Sequence, residues 1–240
     1  AWKRKGFTIE GCLHYVQIVG SAPAHMFHGM WKELGIMPDL KMYHSAVFHT
    51  FSDTQGRTLT MYADADRLEG ELLRLSPDDA KEIRILCASI RHYSWFVRSV
   101  GINPFLWAVK LANIMAGIRL LNRYGGMNLV QYTERFRDPL IRKALAELFV
   151  YPDFAYPQLC FYLAGHHLHA TGYPEGGSLA FARRMEQTLL SLGGAIRYRQ
   201  PVKRILVENG RAVGVELADG AIERADTVIS AADGHATLME

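Results

Sequence analysis

Two dipeptides near the end of the chain, Asn209-Gly210 and Asp219-Gly220, constrain the fold most strongly. They separate three segments in which apolar and polar residues alternate, PVKRILVE, RAVGVELA and AIERA. Both residues of such a dipeptide can take positive φ, which a two-residue β-hairpin turn requires. The pattern therefore predicts a three-stranded antiparallel meander over residues 201–225.

The segments on either side of the meander predict the fold class. A helical pattern precedes it, with Ser178 as its N-cap and Gly193-Gly194 as its end. The apolar side of this helix is formed by Ala182, Met185, Leu189 and Leu192. The run TVISAA, residues 227–232, predicts a strand buried on both faces. A helix, a meander and a buried strand indicate an α/β fold with a parallel sheet, most of which lies outside this sequence.

The first two thirds of the chain predict a hairpin followed by helices. A short strand is expected at Phe7–Glu10, and a helix at Ala24–Leu34 that stops at Gly35. Residues 46–53 and 57–64 alternate as a hairpin does. Helices are expected from Ser76-Pro77 to about residue 100, then over 105–123, 138–149 and 157–168. We divide the chain into residues 1–44, a mainly helical part at 45–171, and residues 172–240.

Composition and charge exclude some classes of function. The net charge of +3, from 27 basic and 24 acidic residues, is too balanced to indicate nucleic-acid binding. Three scattered cysteines favour a reducing compartment, and we expect a cytoplasmic protein. The run FLWAVKLANIMAGIRLL is interrupted by Lys110 and Arg119, so it cannot span a membrane but is compatible with peripheral membrane contact. The nearby aromatic residues Trp95, Phe96, Phe105 and Trp107 are interpreted as core residues rather than as a membrane patch.

The loop GYPEGGS, residues 172–178, raises the question of what comes close to two adjacent glycines. One interpretation is a turn that needs positive φ before a helix. The other is a ligand that presses on the backbone and leaves no room for a Cβ atom. The loop alone does not decide between them.

The order of motifs in the last third resembles one family. The sequence runs from GYPEGGS through a helix ending in Gly-Gly to GRAVGVELADG and ADTVISAAD. This order resembles the phytoene desaturase and carotenoid isomerase branch of FAD-dependent, amine-oxidase-like oxidoreductases. GFTIEGCLHYVQIVG and RFRDPLIRKAL are similar to earlier segments of the same family. The resemblance implies an α+β substrate domain inserted into an FAD-binding, Rossmann-like domain.

The resemblance also implies a cofactor, a substrate and their contact residues. FAD is expected, with a lipophilic isoprenoid or polyene substrate. Cofactor contacts are carried over to Gly176, Gly177, Val202, Ala231, Ala232 and Asp233. The substrate is expected to be lined by His14, His166, His169 and Tyr173. No catalytic side chain is assigned, because a flavin carries the redox chemistry itself. Val202 could instead be a core residue, and Asp233 a helix cap or turn residue.

One departure from the family bears on the cofactor. Such enzymes hold the FAD pyrophosphate with a G-x-G-x-x-G loop, yet no two of the 21 glycines here are separated by one residue. We therefore expect the chain to be an internal portion of a longer flavoprotein that does not hold FAD normally by itself. The alternative is a non-catalytic module of the same fold that binds a lipid or a protein.

Other clusters of polar residues do not point to a different chemistry. His166, His167 and His169 cannot all converge on one ion from a regular helix, so no metal site is predicted. The pairs Asp64/Asp66 and Asp78/Asp79 are interpreted as helix caps. We find no motif of a hydrolytic nucleophile.

Overall fold

The computed structural model describes residues 2–9, 23, 25, 27–98, 107–149 and 153–239. The chain divides into two compact units, Ala1–Thr188 and Leu189–Glu240. Each unit is considered by itself below.

The first unit combines three small sheets with a group of helices. Its strands are β1 (Trp2–Arg4), β2 (Phe7–Ile9), β3 (Met42–Tyr43), β4 (Val47–Ser52), β5 (Thr58–Tyr62) and β6 (Tyr173–Pro174). Its helices are α1 (His28–Glu33), α2 (Ala65–Leu75), α3 (Ala80–Arg98), α4 (Trp107–Tyr124), α5 (Leu129–Thr133), α6 (Pro139–Ala146) and α7 (Tyr156–His167). Helix α8 (Gly177–Ser191) begins in this unit. The antiparallel pairs are β1–β2, β3–β6 and β4–β5.

Helix α7 is the central element of the first unit. It is apolar around most of its circumference, as expected for a helix surrounded by other elements. Helix α3 packs along it with the face that the sequence predicts. The members of that face, Ile83, Leu86, Cys87, Ile90 and Val97, are all fully buried, while Tyr93 is partly exposed. Helices α2, α5 and α6 and the β4–β5 hairpin complete the same core.

Acidic side chains fix the starts of the helices, although not always as caps. Asp64 accepts hydrogen bonds from the amides of Asp66 and Arg67 at the start of α2, as a cap does. Asp79 was predicted to be a cap, and this is wrong. It is buried and accepts from the amides of Arg137 and Asp138, 2.8 and 3.0 Å away, so it joins the start of α3 to the start of α6.

Two predicted capping roles of serine are also corrected. Ser76 makes no capping bond to a backbone amide; its hydroxyl donates to Asp79 over 2.8 Å, and Pro77–Asp79 forms a 3₁₀ turn before α3 begins. Helix α8 begins at Gly177, so Ser178 lies inside its first turn. Both errors arise because a backbone turn, rather than the serine, sets the start of the helix.

The second unit contains the predicted meander. Strands β7 (Val202–Glu208), β8 (Arg211–Leu217) and β9 (Ile222–Arg224) pair antiparallel in this order, and α9 (Gly234–Met239) follows. Asn209 and Gly210 both have positive φ, as the hairpin prediction requires. Gly214 permits a close approach of β8 and β9, because a Cβ there would lie 2.2 Å from the Glu223 carbonyl oxygen. The strand order of the predicted meander is confirmed. The two-residue turn predicted at Asp219-Gly220 is wrong, because only Gly220 has positive φ and the Leu217 amide donates to the Ala221 carbonyl across a longer turn.

The predicted buried strand at residues 227–232 is wrong. These residues form no strand, and Ile229 is 86% exposed. An apolar run becomes a buried strand only where neighbouring strands hydrogen-bond to it and other elements cover its faces. No such neighbours flank it among the described residues. The mixture of helices and strands agrees with the predicted α/β class, and every strand pair among the described residues is antiparallel.

Candidate functional site

A two-residue β-ribbon brings two distant segments together at the glycine-rich loop. In β3–β6, Tyr43 pairs with Tyr173 and Met42 pairs with Pro174. The Tyr43 hydroxyl donates to a Glu175 carboxylate oxygen 2.7 Å away. This hydrogen bond, helped by desolvation and the nearby negative charge, raises the pKa of Tyr43 above its usual value. The loop is thus attached to residues about 130 positions earlier in the chain.

The C-terminal end of α7 is closed by a turn in which His169 takes the left-handed conformation. His169 has φ 54°, its amide donates to the His166 carbonyl, and the Ala170 amide donates to the Gly165 carbonyl. These two bonds form a Schellman motif, in which the left-handed position is usually glycine. The turn redirects the chain from α7 into the ribbon.

His44 joins this turn to the ribbon. Its Nδ1–H donates to the Thr171 carbonyl over 2.9 Å, and its ring stacks on that of His169 with centroids 5.2 Å apart. A Cβ on Gly172 would lie 2.9 Å from His44 Nδ1 and 3.0 Å from the Tyr43 carbonyl oxygen. Glycine at position 172 is therefore required by close packing.

His166 is a buried histidine surrounded by aromatic rings. Its ring centroid lies 4.8 Å from that of Phe48 and 4.9 Å from that of Tyr162. Burial, and to a lesser extent the proximity of His44, lower the pKa of His166 to about 4. The imidazole is therefore uncharged at neutral pH, as a side chain that lines an apolar site should be.

An aromatic cavity lies beside the N-terminal half of α7. It has a volume of about 330 Å³ and is lined by Tyr93, Phe154, Pro157, Gln158, Phe161 and Tyr162. Its wall is continuous with the surroundings of His166, because the Tyr162 ring contacts both. Desolvation raises the pKa of Tyr93 to about 12, so its hydroxyl stays neutral. The lining suits an apolar, planar ligand rather than a charged one.

The paired glycines mark the start of α8. Gly176 and Gly177 have φ values of 79° and 71°. A Cβ on Gly176 would also lie 2.7 Å from the Ala180 Cβ, so backbone geometry and packing account for glycine there without a ligand. The turn interpretation of GYPEGGS agrees with this geometry, and the exposed Gly176 still presents backbone without a side chain.

The remaining predicted cofactor residues belong to the second unit. Val202 begins β7, an edge strand of the meander, and 55% of the residue is exposed. Ala231, Ala232 and Asp233 lie in an exposed segment before α9. The Asp233 carboxylate accepts from the Ala236 amide over 2.9 Å, so the interpretation of Asp233 as a helix cap is confirmed.

A second hollow of about 410 Å³ lies on the meander, lined by Arg211, Val213, Arg224, Ala225 and Asp226. Arg211 donates to the Asp226 carbonyl, and Arg224 forms an ion pair with Glu208. Because both cations are already paired with oxygen atoms of the same unit, this hollow is less suited to a ligand than the aromatic cavity.

Two other histidines were named from the sequence, His14 and His167. His14 lies outside the described residues. His167 Nδ1 accepts from the Ala65 amide over 3.1 Å, which attaches α7 to the start of α2. In the part of the chain that the structure describes, no three or more His, Cys, Asp or Glu residues are arranged to hold a metal ion.

Sequence reasoning missed the aromatic cavity and His44. Part of the cavity could have been found, because Gln158, Tyr162 and His166 recur every four residues and so share one side of a helix. His44 has no such signal. Its contacts with Thr171 and His169 join positions more than 120 residues apart, and no local pattern reports them.

The described fold and site define an α/β protein with an apolar cavity and a helix that begins at paired glycines. Comparison with known proteins identifies the family of the chain. The protein-family model described as "Flavin containing amine oxidoreductase" matches residues 117–238, just over half of the chain. The chain belongs to the flavin-containing amine oxidoreductase family, as its motifs predict.

The chain also matches curated proteins whose names describe enzymes. A neurosporene-forming phytoene desaturase of Cereibacter sphaeroides is 28% identical over 225 residues, covering 88% of this chain and 42% of the relative. A chloroplastic prolycopene isomerase of Arabidopsis thaliana is 40% identical over 68 residues, covering 28% of this chain and 11% of the relative. An all-trans-retinol 13,14-reductase of Danio rerio is 28% identical over 191 residues, covering 72% of this chain and 31% of the relative. The chain thus spans about two fifths of the phytoene desaturase's length.

Proposed function

We propose that the protein is an FAD-dependent oxidoreductase that acts on an apolar isoprenoid polyene. The observation that carries this proposal is the aromatic cavity on α7, most of whose lining lies within the segment that matches the flavin family. The names of the relatives support the substrate class, because phytoene, prolycopene and retinol are all isoprenoid polyenes.

The cavity supplies the physical basis for substrate binding. Four of its six lining residues are aromatic, and flat rings offer a large apolar contact area to a planar polyene. Each Å² of apolar surface removed from water stabilises the complex by about 25 cal/mol. We assign the substrate lining to His14, His166, His169 and Tyr173 in addition to the cavity. Neutral His166 would lie against such a substrate without introducing a charge.

For the cofactor, we propose contacts at Gly176 and Gly177 and, in the second unit, at Val202, Ala231, Ala232 and Asp233. The local structure fits this role in two ways. The loop at Gly176 has no side chain to obstruct a flat ring, and β7 is an edge strand of its sheet. When bound, the flavin supplies the two-electron redox chemistry. The protein's part is to orient the substrate and to exclude water, so no catalytic side chain is proposed.

We further propose that residues 1–44 and 172–240 belong to the cofactor domain and residues 45–171 to the substrate domain. A reducing, cytoplasmic location is proposed from the small number and wide spacing of the cysteines. Peripheral contact with a membrane would give access to a lipophilic substrate. Among the described helices, none has the length and apolar character needed to cross a bilayer.

Substitution of Phe161 tests the role of the cavity. Phe161→Ala removes part of the aromatic wall, so the dissociation constant for a polyene such as retinol should rise roughly tenfold. Binding is measured by quenching of intrinsic fluorescence in the purified chain. Phe51→Ala, a partly buried aromatic residue of the β4–β5 hairpin, is the matched control and should bind as the unsubstituted chain does.

Phe161→Leu separates loss of binding from loss of folding, because it keeps most of the apolar volume. It should bind a polyene nearly as tightly as the unsubstituted chain. Equal affinity in the unsubstituted chain and a folded Phe161→Ala variant, verified by circular dichroism, would show that the substrate binds elsewhere.

A further inference from the structure

The aromatic cavity on α7 has a polar side chain at its opening. Among its described lining residues, Gln158 is exposed, Tyr162 is buried and the other four are partly exposed. Gln158 therefore lies where the cavity meets solvent. Tyr162 follows one helical turn later, about 6 Å further along the axis of α7 and in the direction of the buried His166. The cavity is thus polar at its opening and aromatic further inside.

A hydrogen bond at the start of α7 determines which part of the Gln158 amide group can meet a ligand. The Gln158 Oε1 accepts from the Ala155 amide over 3.0 Å. Because a backbone N–H can only donate, the helix start uses the oxygen of the amide group and not its nitrogen. Among the described residues, no protein atom accepts from Gln158 Nε2. This group therefore offers two N–H donors at the opening of the cavity.

The cavity offers nothing that would stabilise a charged group of a ligand. None of the described lining residues is Asp, Glu, Lys, Arg or His. Amides at the start of a helix can bind anions, but the Tyr156 amide donates to the Met127 carbonyl and Pro157 has no N–H. The Gln158 amide donates to the Ala155 carbonyl. A carboxylate in the cavity would lack both a cation and a backbone donor, so its burial would be costly.

We propose that Gln158 Nε2 donates a hydrogen bond to a neutral oxygen, a hydroxyl or a carbonyl group, at one end of the polyene. The oxygen would lie at the opening, and the conjugated chain would extend along the aromatic wall towards Tyr162. A hydrocarbon in the same position would cover the N–H groups without offering an acceptor, which carries a free-energy penalty. Gln158 would therefore select oxygenated polyenes over pure hydrocarbons. This inference rests on the proposed function, because it takes the cavity to be the polyene site.

Two ligands that differ only at the terminal oxygen test this selection in the protein at its natural length. Retinol ends in a hydroxyl, and deoxyretinol has hydrogen in place of that group. Gln158→Met keeps the length of the side chain but has no N–H donor. It should shift the ratio of the two dissociation constants against retinol by roughly fivefold, as measured by quenching of intrinsic fluorescence. Deoxyretinol should bind this variant at least as tightly as it binds the unsubstituted protein.

Gln131→Met is the matched control. Gln131 Oε1 accepts from the Asn128 amide over 3.1 Å at the start of α5, and Gln131 is not among the described lining residues of the cavity. Its substitution removes the same kind of bond at a helix start but should leave both dissociation constants unchanged. Circular dichroism of every variant verifies that the fold is retained.

Gln158→Glu separates the bond to the backbone from the bond to the ligand. A glutamate at this position can still accept from the Ala155 amide, but it has no N–H to donate. It should therefore weaken the binding of retinyl methyl ether, whose oxygen can only accept.

Three results would overturn the inference, and they distinguish its failure from that of the proposed function. If Phe161→Ala weakens the binding of both ligands while Gln158→Met leaves their ratio unchanged, the cavity is the polyene site but Gln158 does not select its occupant. If a folded Phe161→Ala variant weakens the binding of neither, the proposed site and this inference fail together. Tighter binding of retinoic acid than of retinol would contradict a neutral oxygen as the end group.

Discussion

At the scale of single residues, His166 shows how the environment sets chemistry. A histidine exposed to water titrates close to neutrality, whereas His166 is enclosed by Phe48 and Tyr162 and stays neutral down to about pH 4. The cost of burying a charge, and not a specific partner, causes most of this shift. The same environment makes His166 suitable for lining an apolar site.

The titration of His166 predicts a pH dependence of stability. Its pKa is about 4 in the folded chain and 6.5 when unperturbed, so the unfolded chain binds more protons between these values. The free energy of unfolding should therefore decrease as the pH falls from 6.5 to 4, by roughly 3 kcal/mol from this residue. In His166→Gln this contribution should be absent. Urea denaturation at a series of pH values measures the difference.

Two other histidines serve as references for that experiment. Burial also lowers the pKa of His92, but His92 is present in both proteins, so its effect cancels in the comparison. His49→Gln removes an exposed ring of the β4–β5 hairpin and is the control for the substitution of a histidine as such. If His166→Gln lost stability on acidification as steeply as the unsubstituted chain, His166 would not be the buried neutral histidine described here.

At the scale of elements, the β3–β6 ribbon is what positions the glycine-rich loop. It pairs only two residues on each side, so its stability depends on contacts such as those of His44 with Thr171 and His169. A short ribbon of this kind tolerates little crowding. The position of the glycine-rich loop therefore depends on the absence of a side chain at Gly172.

A pair of glycine substitutions tests this view of the ribbon. Gly172→Ala would place a Cβ 3.0 Å from the Tyr43 carbonyl oxygen, a backbone atom that cannot move without disturbing the ribbon. It should destabilise the protein by about 1–3 kcal/mol. Gly70→Ala lies in the exposed middle of α2 with no atom within 4 Å, and should stabilise it by about 0.5–1 kcal/mol. Urea unfolding midpoints measure both; unchanged or increased stability of Gly172→Ala would contradict the argument.

The elements also show what sequence can predict. The turn at Asn209-Gly210 was predictable, because positive φ at two adjacent residues is a local requirement that few residue types meet. The short helix α5 was missed, although Asn128 and Gln131 form a capping box at its start. The strand at 227–232 was wrongly predicted, because burial depends on neighbouring elements that the segment does not encode.

The candidate site likewise contains some features that local sequence predicted and others that it did not. The paired glycines and the histidines at the end of α7 were found from local motifs and from family resemblance. The contact of His44 with Thr171 was not, since it depends on the packing of residues that are distant in sequence. The role of Asp79 was misjudged for the same reason, because its partners Arg137 and Asp138 lie nearly sixty residues further along.

At the scale of the whole molecule, two compact units carry different parts of the proposed function. The first contains the aromatic cavity and the glycine-rich loop, and the second contains the meander with Val202. The chain belongs to a flavin-containing family, and the aromatic cavity of the first unit is lined by uncharged residues. A flavin would supply the redox chemistry.

The most direct test of this account follows the absorption spectrum of a polyene in the presence of the protein at its natural length. Phytoene, prolycopene and retinol are each incubated with the protein and FAD, in both the oxidised and the chemically reduced state. The account predicts that at least one polyene changes its spectrum only when FAD is bound, because its conjugation or geometry is altered. Unchanged spectra for all three polyenes with FAD-loaded protein in both states would contradict it.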